Sequence, residues 1–169
     1  MPRTAPPCGT IAQVPTAPTP PAPDPATEVC PGCGAVLAPV PAGSPTPPGA
    51  SPSCARLFDV TLLGPHEEAA TDATAAATAR LADAAYAAQH PVAGDPTSVS
   101  AALDLLQGEL GDAGRGRRSS PPPVWTTTIA DVAADLDVID LGVLVESWAR
   151  TVLGDWSGPE GAPRGDARV

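Results

Sequence analysis

The sequence predicts a mainly α fold: a small helical bundle of about four helices, with a cysteine-bearing loop and a disordered Pro-rich tail on its N-terminal side. Three observations lead there. Apolar residues recur at three- and four-residue spacing in several windows, the mark of helices with one buried side. No alternating apolar and polar stretch is long enough to argue for a sheet, and no internal repeat is present. Of the 24 prolines in the 169-residue chain, 18 crowd into residues 2–25, 39–52 and 121–123. Few large apolar side chains accompany them to offset the entropy of ordering.

Taken in order, residues 1–28 are expected to be a disordered tail in loose polyproline conformation. Residues 29–50 form an irregular, turn-rich segment that contains Cys30-Pro31-Gly32-Cys33-Gly34. The first helix follows, with Ser51 as N-cap, Pro52 at the first helical position and Gly64-Pro65 as the stop. Leu57, Phe58 and Leu62 give it an apolar side, and Cys54 falls in its first turn. A second helix is expected from Asp72 to Gln89, ended by Pro91. Leu81, Ala84, Ala85 and Ala88 share one side of it. A third runs from Ser98 to Leu110 with Val99, Ala102, Leu103 and Leu106 inward. Residues 111–123 read as a flexible loop, and a short helix lies between Thr126 and Asp135 with Thr128 as N-cap. The last helix has the clearest pattern. Asp140 caps it, and Leu141, Leu144, Val145, Trp148, Val152 and Trp156 line one side, which makes the two tryptophans core anchors. The folded part is thus residues 29–157, with a second disordered tail at 158–169.

Charge narrows the partners. The net charge is −10 and no lysine is present, so most of the surface repels nucleic-acid phosphates and anionic membranes. The one basic cluster, Arg115, Arg117 and Arg118, sits in a Gly/Ser/Pro stretch and reads as a solvated loop. No run approaches the ~20 apolar residues that span a bilayer, and the apolar core of a signal peptide is missing from the N-terminus. The expected compartment is the cytoplasm, where paired cysteines read as metal ligands or redox groups before disulfides.

Cys30 and Cys33 form a CxxC in a Pro/Gly turn. Two intervening residues let both thiolates face one point about 2.3 Å away, the zinc–sulfur distance. Gly32 and Gly34 allow the backbone to curl around a metal and aim N–H groups at the sulfurs. A structural zinc ion takes four ligands. Cys54 is the natural third, at a helix start whose dipole favours a thiolate. His90 is the fourth, at the end of the second helix beside Pro91, with His66 as its rival. Cys8 lies in the tail and is left out. Three other readings stay open at this point: free thiols, a Cys30–Cys33 redox pair (though no βαβ pattern supports one), and Cys54 as a small buried apolar residue.

Signals for catalysis are sparse. The chain has no glycine-rich phosphate loop, no HExxH, and only two histidines for a Ser-His-Asp arrangement. Asp131, Asp135, Asp137 and Asp140 read as caps and a solvated face.

Several fragments occur in one order: CPGCG at 30–34, GASPSC at 49–54, YAAQHP at 86–91, TIADV at 128–132 and ESWARTVLGDW at 146–156. Over roughly residues 29–157 the chain resembles the bacterial family of unknown function numbered 5946, whose members carry these motifs. The resemblance implies that Cys30, Cys33, Cys54, Tyr86, Gln89 and His90 form one cluster. Other members tend to carry further histidines where this chain has Pro47, Ala79 and Ala102, which favours a structural zinc over a catalytic one here. The expected function is therefore a zinc-stapled helical module, a binding or regulatory protein with a protein partner. The alternatives are an enzyme with an open zinc position, Tyr86 serving as orienting group or proton donor, and a zinc–thiol redox switch.

Overall fold

Five of the six helices among the described residues begin where a side chain serves the N–H groups that the helix itself leaves unpaired. The structure, a computed structural model, describes residues 27–41, 44, 48–92, 95–111 and 117–157. In α1 (Pro52–Thr61) the Ser51 hydroxyl accepts from Cys54 N, and proline opens the helix. In α3 (Ala73–Gln89) Asp72 accepts from Ala75 N. Thr128 and Asp131 form a reciprocal capping box at α5 (Ile129–Ala134), and Asp140 accepts from Gly142 N and Val143 N at α6 (Leu141–Trp156). The expected four helices are thus α1, α3, α4 (Pro96–Leu110) and α6, all ten residues or longer.

Three local differences have simple causes. The chain does not leave the helical region at Gly64-Pro65 but breaks at Leu62 and re-enters a six-residue helix, α2 (Leu63–Glu68). Pro65 falls in its first turn, where a missing N–H loses no intrahelical bond. Helix α4 (Pro96–Leu110) starts two residues before Ser98, because the Asp95 carboxylate caps Thr97 N and Ser98 N, and Pro96 takes the first position. A small antiparallel hairpin frames the CxxC turn: β1 (Glu28–Val29) pairs with β2 (Val36–Leu37), Glu28 opposite Leu37 and Val29 opposite Val36. Two residues per strand leave no alternation for a sequence to display. The strand also takes in Glu28, one residue before the expected boundary. The rest of the N-terminal tail and residues 158–169 lie outside the described residues.

Helix α3 is the axis of the bundle. Helices α2, α4 and α6 all pack on it, α4 and α6 also meet, and α5 joins α1 to α6. Its buried residues are mostly alanine (Ala79, Ala82, Ala84, Ala85 and Ala88), so the neighbouring helices approach closely and supply the bulk themselves. Leu106 comes from α4, Ile129 and Val132 from α5, and Val145, Trp148 and Val152 from α6, each no more than 2% exposed. The expected stripe of α6 is therefore the core face, with Trp148 and Trp156 at its centre.

The two tryptophans place their polar ends with care. Trp148 Nε1 donates to Gln89 Oε1 at 3.2 Å, and Gln89 Nε2 donates to the Thr127 carbonyl at 2.7 Å, so a fully buried glutamine ties α3 to α6 and to the segment before α5. Trp156 Nε1 donates to the Ala88 carbonyl at 3.1 Å. Replacing Trp148 with alanine should cost about 3–5 kcal/mol through the cavity it leaves. Trp148→Phe keeps most of the volume but strands Gln89 Oε1, and should cost about 1–3 kcal/mol. Chemical denaturation of both variants checks the order and the size.

Candidate metal centre

The hairpin turn closes on itself before it meets the helices. Cys30 N donates to the Ala35 carbonyl at 2.9 Å, and Gly34 N donates to the Cys30 carbonyl at 2.9 Å. Gly34 sits at φ +77°, a left-handed conformation that glycine adopts without strain. The turn thereby presents the sulfurs of Cys30 and Cys33 inward, at 1% and 3% residue exposure.

Helix α1 delivers Cys54 in its first turn, where Ser51 caps the Cys54 N–H. The start of α1 is pinned to the hairpin, because the Glu28 carboxylate accepts from both the backbone N–H and the hydroxyl of Ser53. His90 arrives as the C-cap residue of α3, and its Nδ1–H donates to the Tyr86 carbonyl at 2.7 Å. That bond fixes the tautomer and leaves Nε2 as the free donor atom.

Close approach between hairpin and α3 depends on two glycines. A Cβ on Gly32 would lie 2.4 Å from the Gly49 carbonyl oxygen and 2.5 Å from the His90 ring. A Cβ on Gly49, which has φ +80°, would lie 2.7 Å from the His90 carbonyl oxygen. Trp125 clamps the outer side, with Nε1 donating to the Gly32 carbonyl at 2.9 Å.

The result is a buried cluster of Cys30, Cys33, Cys54 and His90, whose donor atoms all lie within 4.8 Å of one another. Cys30 Sγ is 3.4 Å and Cys54 Sγ 3.5 Å from His90 Nε2, and Cys33 Sγ is 3.7 Å from Cys54 Sγ. Donor atoms about 2.0–2.3 Å from a shared centre at tetrahedral corners stand roughly 3.5–3.8 Å apart. The four residues fit a metal ion on that measure, and the backbone N–H of Ser51 already points at Cys30 Sγ at 3.4 Å.

Groups held this closely do not ionise independently. Hydrogen bonds from Cys33 and Cys54 hold the Cys30 thiol far below its ordinary range. Cys54 is driven far above it by Cys30 and Cys33, with burial adding to the effect. Burial works to lower the His90 value, yet the bonds to the Cys30 and Cys33 sulfurs outweigh it and push the ring up to about 9. Deprotonating more than one of these sulfurs would build negative charge in a dry volume, and a divalent cation would relieve it.

The four candidate ligands named by the sequence are the four that come together. The rival His66 stands elsewhere, on α2, where Nε2 meets Asp83 Oδ1 at 3.0 Å. Tyr86 and Gln89 also reach this region, Tyr86 with its ring 4.0 Å from that of His90. Of the basic cluster, Arg117 pairs with Asp104 at 2.7 Å, and Arg115 lies outside the described residues. Sequence reasoning missed Glu28, Gly49 and Trp125. Gly49, two residues before an N-cap serine, and the lone tryptophan after Pro121-Pro122-Pro123 were the signals available.

Among the described residues no helix is long and apolar enough to cross a membrane. No curated protein and no solved structure matches the chain. One family model does, over residues 28–157, from the paired strand to the end of α6. It spans the hairpin, both cysteine segments and the histidine. The chain belongs to the Family of unknown function (DUF5946).

Proposed function

We propose that the protein is a zinc-stapled helical module, a binding or regulatory protein of the cytoplasm rather than an enzyme. The observation that carries this is the set of donor separations, 3.4, 3.5 and 3.7 Å, among four buried side chains. Three thiolates and a neutral imidazole are a donor set for zinc, and four protein ligands make a closed structural site. Three sulfurs also damp the Lewis acidity that a hydrolytic enzyme requires. Reducing conditions keep such thiols free, which suits the cytoplasm. The acidic surface suits a protein partner better than nucleic acid.

The energetic role follows from sequence separation. Cys30 and His90 are 60 residues apart and Cys33 and Cys54 are 21 apart. A metal ion joining them adds its binding energy to the folding of a chain whose central helix is largely alanine. On this reading the folding unit is residues 28–157, and the flanking segments are dispensable to it.

Protein purified without a metal-binding tag should carry a single zinc ion per chain by elemental analysis. Cys33→Ser should lower the zinc content and the melting temperature together, because a structural ligand serves both. A chain trimmed to residues 27–157 should melt within a few degrees of the full chain. X-ray absorption at the zinc edge should show three sulfurs and one imidazole nitrogen, unchanged by small chelating acids. An exchangeable oxygen in that shell would replace the structural reading with the enzymatic one.

A further inference from the structure

The chain between α5 and α6 turns apolar side chains outward. Leu136, Val138, Ile139 and Val143 are all exposed, Val138 at 80% and Val143 at 60%. Single exposed apolar residues are ordinary, but four within eight positions make a patch that needs a reason. Core packing does not supply one, because the flanking helices send Val132 and Val145 inward for that purpose. Nor is the segment loose. The N–H groups of Val138 and Ile139 both donate to the Asp135 carbonyl, at 3.1 and 3.0 Å, and the Asp140 carboxylate accepts from Gly142 N and Val143 N. The apolar side chains stand on a backbone that is already ordered, so contact with a partner costs little further ordering of this loop.

Charge identifies the occupant. Asp131, Asp135, Asp137, Asp140 and Glu146 accompany the patch, and residues 119–149 contain no Arg, Lys or His. Asp131 and Asp140 serve as helix caps, and Glu146 pairs with Arg150. Asp135 and Asp137 are exposed, and among the described residues their carboxylates make no hydrogen bond or ion pair. Like charge disfavours a second copy of this chain, a nucleic acid or an anionic membrane on this face. An apolar centre rimmed by free carboxylates instead matches a segment whose apolar side chains are flanked by Lys or Arg.

We propose that the corner between α5 and α6, residues 135–143, is a docking surface for a basic amphipathic segment of another protein. This deepens the reading of the protein as a binding module and rests on it, but not on the metal. Val138 and Ile139 give the contact its apolar centre. Asp135 and Asp137 steer the partner and fix its orientation from the rim.

The test uses the full chain and, as probe, a fluorescently labelled peptide of leucine and lysine patterned as an amphipathic helix. Fluorescence anisotropy should show binding that weakens as salt is raised. The same peptide with glutamate in place of lysine should not bind. Val138→Ser and Asp137→Asn alter exposed side chains, so both variants should melt as the parent does. Val138→Ser leaves every charge in place and should weaken binding roughly tenfold, the effect of losing one well-covered valine. Asp137→Asn should weaken binding and make its salt dependence shallower. Asp104→Asn, which removes the same charge from α4, should leave the affinity close to the parent's. No binding by the parent would overturn the proposal. Equal binding by the parent and Val138→Ser would do so too, since general attraction between an acidic protein and a basic peptide would then suffice. Self-association of the parent, or its binding to phosphatidylserine vesicles, that Val138→Ser abolishes would assign the patch to a different occupant and overturn it as well. The binding-module reading fails separately, through an exchangeable oxygen at the zinc.

Discussion

The last turn of α3 has carbonyl groups that the helix itself supplies poorly with N–H partners, and side chains from distant segments meet that end of the helix. Tyr86 O accepts from the His90 ring and backbone, and Ala88 O accepts from the Trp156 indole. The side chain of Gln89, the next residue, accepts from Trp148 and donates to Thr127 O. Within residues 86–90 the helix end thus orients the ring of a candidate ligand and anchors both tryptophans of α6. The core and the candidate centre are consequently not separate features. A change at Gln89 or Trp148 would be felt at His90 within one residue of chain.

The same helix end explains the glycines. The CxxC hairpin must press its backbone against the backbone of residues 89–91, and any side chain at Gly32 or Gly49 would occupy that space. Trp125 then holds the hairpin from outside through the Gly32 carbonyl. Steric permission comes from glycine and directional hold comes from an indole. Both are required, because a loop that can approach closely is not thereby kept close.

The cluster of sulfurs and imidazole is the least self-sufficient part of the molecule. Its members are drawn from a hairpin, a helix start and a helix end, and their shifted ionisation reflects how badly the site tolerates its own charge. Helix α3 contributes little bulk of its own to the core, and on the zinc reading proposed above a cation joining these three segments would add to its stability.

Helix starts were legible because capping is local. Ser51, Asp72, Thr128 and Asp140 each bond to a backbone N–H two or three residues on, so type and spacing suffice to place them. The α6 stripe and the pairing of Cys30 with Cys33 were legible for the same reason. The break at Leu62 and the two-residue strands were not, since neither a helix re-entry nor so short a hairpin has a periodicity to read. That Cys54 and His90 converge on the CxxC pair was inferred from helix-end positions and a family likeness, not fixed by them. It depends on the path of a 60-residue span folded about α3. The sequence by itself determined the capped helix starts, the buried stripe of α6 and the chemistry of four donor groups, all of which are set within a few residues of chain. Only the tertiary structure decided that His90 rather than His66 meets the sulfurs, and that Gly49 and Trp125 seat the hairpin, because each of these depends on contacts between segments far apart in the chain.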